Sequence, residues 1–394
     1  MAVSAAALVA AGGIASAEDK EPVLLGYTAA VTGELAPYDS PQGVQCMIDY
    51  INEQGGVLGG RPLKLSVRDI KSDPAIVGTA AQELIDEGVS VILGAPTDDT
   101  MIPAGVQAQP HQIAIISVAS TQVQWPAAMP DIGFLTPYGD NAAAAAAAEY
   151  AYEKGYRTAY MLTSHDIGSY SYVTPRYMGE AFERLGGTVL GEMNWNYGTA
   201  DYSAQVTELA NMDPKPDVIF SAMIIPDGGV FLKQMHAAGV DIPMFTTDGM
   251  DDPGVLEIGG EGASLLTFAT HGFPEPGSKL EWFKSYCEGK GYTYQNIFFG
   301  LGGETVEIIR QAIEAAGSDD PAAITQAMHN LENVEGITAK SITYKGHGGV
   351  PYKDLVLVTV KDGKFALVKH ILPQWVPDDF SKWEPKGGSG GTTE

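Results

Sequence analysis

Two short apolar runs, Val91–Leu93 and Ile113–Ile116, separated by one helix-length segment, constrain this chain most. Runs this short, with no polar alternation, suit parallel strands covered on both faces. Each stops abruptly in small and hydroxyl residues, GAPTDDT over 94–100 and SVAST over 117–121. In an open α/β sheet, ligands sit outside the carboxyl ends of such strands, where backbone N–H groups, hydroxyls and helix N-termini converge. That geometry suits a small polar or anionic ligand. Ordinary capped strand-to-helix turns have the same composition, so the stretch alone leaves both readings open.

The rhythm continues on either side. Pro22–Tyr27 reads as a strand, Thr28–Ser40 as a loop and Gly43–Gln54 as a helix stopped by Gly55 and Gly56. Arg61–Asp69 alternates like a strand, Pro74–Glu87 reads as an amphipathic helix capped by Ser72 and Asp73, and Val89–Leu93 is the next strand. This βαβαβ order with short loops implies a parallel, doubly wound sheet. A second series begins near Asp140 with the alanine-rich helix Asn141–Lys154. Strands follow at Thr158–Leu162, Thr188–Glu192, Asp217–Ala222 and Met244–Thr247, with helices at Thr174–Leu185, Ser203–Asn211 and Gly228–Ala238 between them. Helices are expected again at Lys279–Gly289, Gly302–Ala316 and Pro321–Leu331. Strands are expected at Ser341–Tyr344 and Asp354–Leu372, the latter folded at a Lys361–Lys364 hairpin turn.

With 394 residues, 45% of them hydrophobic, the chain can bury two lobes. A formal net charge of −26 excludes nucleic acid as a partner, because phosphates would be repelled. The first residues form an apolar run ending in Ala15-Ser-Ala17 and then Glu18, which reads as a signal peptide cut after Ala17, although the usual positive start is missing. No later stretch is long and apolar enough to cross a membrane. Cys46 and Cys287 are the two cysteines; their spacing does not show pairing, and two unpaired buried thiols are the expectation.

Assembled catalytic motifs are missing. The seven histidines are scattered, with none at zinc-type spacing. No nucleophile elbow or Walker loop occurs. Gly300–Thr305 lacks the third glycine of a dinucleotide loop and is better read as tight helix packing, and Asp248–Gly254 lacks the alternating ligands of a calcium loop. No metal and no cofactor is expected.

Taken in order, a set of short segments carries a resemblance. They are Thr32–Ala36, Ile51–Arg61, Asp69, Ser72–Pro74, Ile92–Gly94, Ile116-Ser117 and Asp166–Tyr170. They continue with Ala181-Phe182 before Gly186-Gly187, Asp201–Ser203, Pro216–Val218, and Phe231–Gln234 before Gly239. In sequence and spacing the chain resembles the branched-chain amino-acid binding proteins, the type I periplasmic binding components of ABC importers, over nearly its whole mature length. The resemblance implies an α/β fold of two Rossmann-like lobes joined by three hinge crossovers, near Leu135–Asp140, Thr267–His271 and Tyr344–Tyr352. Lobe I would be 22–138 and 270–349, lobe II 139–269 and 350–376, and 377–394 a partly disordered tail. It implies a periplasmic, monomeric binder rather than an enzyme, closing on a small amino acid or related metabolite and docking on a membrane permease.

The resemblance also implies site residues. Ala119, Ser120 and Thr121 match the turn that holds ligand ammonium and carboxylate, and Tyr38 matches a first-lobe aromatic lining the cleft. Tyr170 matches a second-lobe tyrosine, and Asp248 the acidic residue that pairs with an α-ammonium. Two departures stand out. Asp98 falls where a carboxylate-binding serine is expected, so either Thr97 or Thr100 takes that role or the ligand is less anionic than an ordinary amino acid. Ile225, within Ile224-Ile225-Pro226, stands where an aromatic wall is common. Binding of an amide, urea or aromatic acid, a ligand-sensing receptor and an exported α/β enzyme are the alternatives.

Overall fold

From Val23 onward strand and helix alternate as the apolar runs predict. The structure is a computed structural model that describes residues 20–94 and 96–378, so the leader expected to end at Ala17 and the tail beyond Asp378 lie outside the described residues. Strands β1 (Val23–Ala29), β2 (Leu63–Asp69), β3 (Val91–Gly94), β4 (Ala114–Ser117) and β5 (Gly133–Leu135) form one parallel sheet in the order β2-β1-β3-β4-β5. Helices α1 (Pro41–Glu53), α2 (Pro74–Asp86), α3 (Asp98–Ala108) and the short α4 (Gln124–Ala128) connect them. Ser40 caps α1 and Asp73 caps α2, each followed by a proline at the first helical position.

The second sheet contains β6 (Thr158–Thr163), β7 (Thr188–Asn194), β8 (Val218–Ser221), β9 (Met244–Thr246), β10 (Leu266–Thr270), β11 (Leu355–Lys361) and β12 (Lys364–Ile371). Its order is β12-β11-β10-β9-β8-β6-β7, parallel except at β11, which runs antiparallel to both β10 and β12. Asp362 and Gly363, both at positive φ, make the hairpin turn. Helices α5 (Asp140–Glu153), α6 (Tyr170–Arg184), α7 (Ser203–Asn211), α8 (Asp227–Ala237) and α9 (Gly254–Gly259) belong to this part. The alanine run of α5, Ala142–Ala148, is wholly buried, and its small side chains let α5 lie close against α6. In both sheets strand order reverses beside the first strand, between β1 and β3 and between β6 and β8, which is where α/β crevices form.

Three late helices, α10 (Lys279–Gly289), α11 (Ile297–Ala316) and α12 (Pro321–Asn330), return to the first sheet. The α11 helix packs on α1, where a Cβ at Gly43 would collide with the Phe299 carbonyl. Cys46 of α1 and Cys287 of α10 are disulfide-bonded, with Cα atoms 6.0 Å apart. This corrects the expectation of two free thiols. The pairing follows from packing of helices far apart in sequence, which spacing does not encode.

Other differences have local causes. Thr267–Thr270, expected in a crossover, belongs to β10 and pairs with β9 and β11, so the chain leaves the sheet only after Thr270. The α6 helix starts at Tyr170 rather than Thr174, although Pro175 lies within it. Proline cannot donate to the Ser171 carbonyl. The backbone N–H of Ser164 donates to that carbonyl instead, at 3.2 Å. Ser341–Tyr344 forms only isolated bridges rather than a strand.

A buried ion pair joins α11 to the segment that leads into β11. Lys353 Nζ bonds to Glu304 Oε1, and both side chains are fully buried. Glu304 Oε2 accepts from the backbone N–H of Thr338 at 2.7 Å and of Ile337 at 3.1 Å, and Lys353 donates to Thr338 Oγ1 at 2.8 Å. Among the described residues no helix is long and apolar enough to cross a membrane.

Candidate functional site

The carboxyl ends of strands from both sheets face one cavity. After β1 come Leu35 and Tyr38; after β3, Pro96 and Thr97; after β4, Ala119, Thr121 and Gln122. The second lobe adds Ile167 and Tyr170 after β6, Ile224 after β8, and Asp248 with Gly249 after β9, and Phe298 enters from the first turn of α11. About 40 Å³ of the cavity is open to the centre of a water molecule. Among the described residues no lysine or arginine lines it.

Tyr38 reaches across the cleft. Its Oη accepts from the Ile225 backbone N–H at 2.7 Å and lies 3.4 Å from the Gly249 carbonyl. Asp39, next in the chain, fixes the loop that carries Tyr38: its carboxylate accepts from the Tyr27 hydroxyl and from the backbone N–H groups of Ala30 (2.8 Å) and Ser40 (2.9 Å). From the second lobe, Tyr170 Oη accepts from Gly249 N–H at 3.0 Å and pairs with Thr247 Oγ1 at 2.8 Å. A Cβ at Gly249 would come within 2.6 Å of that hydroxyl, so glycine there permits the approach. Burial, first of all, raises the pKa of both tyrosines well above the usual phenol value, so both stay neutral.

Asp248 is 3% exposed. Its Oδ2 lies 3.4 Å from Nε2 of the fully buried His271, whereas Oδ1 has no hydrogen-bond partner among the described residues. A buried carboxylate oxygen without a partner is costly and marks a position for a donor. Behind Thr121 sits Asp140, fully buried and held well above the carboxylate range, first by burial and then by the nearby Asp248 charge. The Thr121 and Thr174 hydroxyls lie beside Asp140 and favour its anion, without reaching full hydrogen-bond geometry. Asp251 is raised to about 7, mainly by burial, while its bond from Thr270 opposes the rise.

The cavity therefore brings together Tyr38, Thr97, Ala119, Thr121, Tyr170 and Asp248 of the residues named from the sequence. The others lie beside it. Asp98 accepts from Ser169 Oγ at 2.6 Å across the cleft. Thr100 supports the head of α3, accepting from Thr97 N–H at 3.2 Å and donating to the Thr97 carbonyl at 2.8 Å. Ser120 Oγ donates to Gln122 Oε1 at 2.6 Å. Ile225 contributes its backbone to Tyr38, and Ile224 occupies the wall. Leu35 and Ile167 lie within the Thr32–Ala36 and Asp166–Tyr170 segments, which do not single them out, whereas Gln122, Phe298 and the supporting His271 carry no local motif and become visible only when the strand ends are assembled.

Relatives of known class share this architecture. The profile of the periplasmic binding protein family matches residues 22–364. The chain is 25% identical over 370 residues to Leu/Ile/Val-binding protein homolog 3 of Brucella melitensis, covering 92% of this chain and 97% of that protein. The crystal structure of the leucine-binding protein LivK from Thermotoga maritima superposes with a TM-score of 0.78 at 26% identity, covering 89% of this chain and 99% of that one. An ABC-transporter solute-binding protein from R. palustris in complex with benzoate superposes with a TM-score of 0.76 at 18% identity, over 93% of this chain and 99% of that one, and shares the fold. The fold and its cleft are those of a solute-binding protein. The chain belongs to the periplasmic binding protein family, with branched-chain amino-acid binding proteins among its relatives.

Proposed function

We propose that this chain is the exported binding component of an ABC importer. It holds one small polar solute with a cationic group, an amino acid or a related metabolite, between lobe I (22–138 and 270–349) and lobe II (139–269 and 350–376). The observation that carries the reading is the buried carboxylate of Asp248, a residue that lines a cavity built from strand ends of both sheets and whose Oδ1 has no partner among the described residues. An ammonium placed there completes a charge-assisted hydrogen bond away from water. Tyr38, Thr97, Ala119, Thr121 and Tyr170 complete the wall, and Ile224 takes the place first assigned to Ile225.

Closure would couple binding to transport, because a solute that touches both lobes favours the form in which they meet. The closed chain then docks as a monomer on a membrane permease. A purely anionic aromatic acid fits poorly, since among the described residues no lysine or arginine lines the cavity to balance it.

Thermal unfolding of the purified chain across a panel of amino acids, amines, amides, ureas and aromatic acids tests the reading. A saturable rise in midpoint with one solute, left chemically unchanged, is expected. No shift across the panel, or conversion of the solute, contradicts it.

A further inference from the structure

Along the first-lobe wall the Thr97, Ser117 and Ser120 hydroxyls donate within the protein. Thr97 Oγ1 donates to Asp99, Ser117 Oγ to the Ser120 carbonyl at 3.0 Å and Ser120 Oγ to Gln122 Oε1 at 2.6 Å. The head of α3 uses its own backbone donors as well: Thr97 N–H gives to Thr100 Oγ1 at 3.2 Å, Asp99 N–H to Asp98 Oδ1 at 3.0 Å and Thr100 N–H to the Thr97 carbonyl at 3.2 Å. Asp98 and Asp99, at the head of α3 beside the cavity, would repel a carboxylate arriving at Thr97, whose own hydroxyl is already given to Asp99. The Thr121 hydroxyl and the Gln122 amide are neutral donors, and among the described residues no lysine or arginine lines the cavity to balance a second negative charge.

The rest of the wall suits a cation. Asp248 offers an oxygen without a partner, while His271 approaches its other oxygen. Tyr38, Tyr170 and Phe298 line the same space. Both tyrosine hydroxyls are engaged by backbone N–H groups, so ring surface is what they have left to present. Aromatic faces attract alkylammonium ions, more strongly when water is excluded. The free space admits only a handful of heavy atoms.

We propose that the cavity takes a small alkylammonium ion that carries no carboxylate, its charge met by Asp248 and its alkyl part by Tyr38, Tyr170 and Phe298. This rests on the solute-binding role proposed above and narrows its ligand. Asp98, at the position where a carboxylate-binding hydroxyl is expected, then acts on the opposite lobe through Ser169 instead of on the solute.

The test is calorimetric titration of the full chain with matched pairs that differ in the carboxylate: ethylamine and alanine, isobutylamine and valine, choline and glycine betaine, with benzoate as the pure anion. At least one amine is expected to bind saturably at a single site, with its carboxylate partner about tenfold weaker or worse. Asp248→Asn, with unchanged circular dichroism, is expected to weaken the amine by about tenfold or more. An amino acid binding more tightly than its own amine overturns this proposal and leaves the solute-binding role standing. Silence across all pairs overturns it too, and the wider thermal panel then decides whether the solute-binding role survives.

Discussion

Asp98 Oδ2 accepts a hydrogen bond from Ser169 Oγ at 2.6 Å, joining the head of α3 in one lobe to the residue that precedes α6 in the other. The contact is tight enough that a Cβ at Gly168 would come within 2.9 Å of Asp98 Oδ1. A carboxylate at a helix N-terminus also favours the helix dipole. Because Tyr170 follows Ser169 directly, the bond positions a cavity tyrosine as it bridges the lobes.

Removing this bridge should disfavour closure. Asp98→Ala is expected to cost the closed form about 1–2 kcal/mol, allowing for partial exposure, and to weaken solute binding about tenfold. Asp98→Asn, which can still accept from Ser169, should lose less. Interlobe distances between paired spin labels, together with calorimetric affinity, check this; unchanged distances and affinity in Asp98→Ala count against it.

The Cys46–Cys287 disulfide closes a loop with a sequence separation of 241 residues. Long closed loops restrict the unfolded chain most, so loss of the bond should destabilise by roughly 3–5 kcal/mol. Equilibrium denaturation with and without reductant, and of Cys46→Ser/Cys287→Ser, measures the difference. Coincident curves would show that the bond adds nothing.

Lys353→Met leaves the Glu304 carboxylate buried without its cation, although backbone N–H groups still reach it. Breaking such a pair from one side costs about 3–5 kcal/mol. Adding Glu304→Gln should recover part of that loss. Urea midpoints for the single and double variants decide the matter, and a single variant as stable as the parent contradicts a stabilising pair.

Stability should fall as pH rises toward neutrality. Asp251 has its pKa raised from 3.8 to about 7 in the folded chain, so the folded state binds more protons than the unfolded state across that window. Its contribution is fully present below the unfolded value and is lost as pH rises through the folded one, on the order of 4 kcal/mol in all. Asp39, also raised to about 7 chiefly by burial, acts in the same direction. Asp251→Asn keeps an acceptor for Thr270 and should flatten the decline between acid and neutral pH. An unaltered pH profile of the unfolding midpoint would refute the assignment.

The fold was legible where local rules act alone. Apolar runs such as Val91–Leu93, proline-capped α1 and α2, and the Asp362-Gly363 turn each declare themselves within a few residues. Elements held by tertiary context did not. β10 is short and wholly buried, so nothing in its own sequence separates it from a crossover, and α6 runs through Pro175 because Ser164 satisfies the carbonyl that proline leaves. The same division runs through the site. Strand-end residues Thr97, Thr121 and Asp248 could be named from the chain, but Phe298 and His271 reach the site from distant segments. Asp98 stood out as a departure, and its partner Ser169 became visible only when the lobes were placed together.

One small cationic solute is expected between the lobes, against Asp248. Isothermal titration of the solute identified by thermal screening, into the parent chain and Asp248→Asn, tests it most directly. One molecule bound per chain, with affinity lost by about tenfold or more in a variant that remains folded, is the predicted result. Equal affinity in the variant, or a stoichiometry other than one, would contradict it.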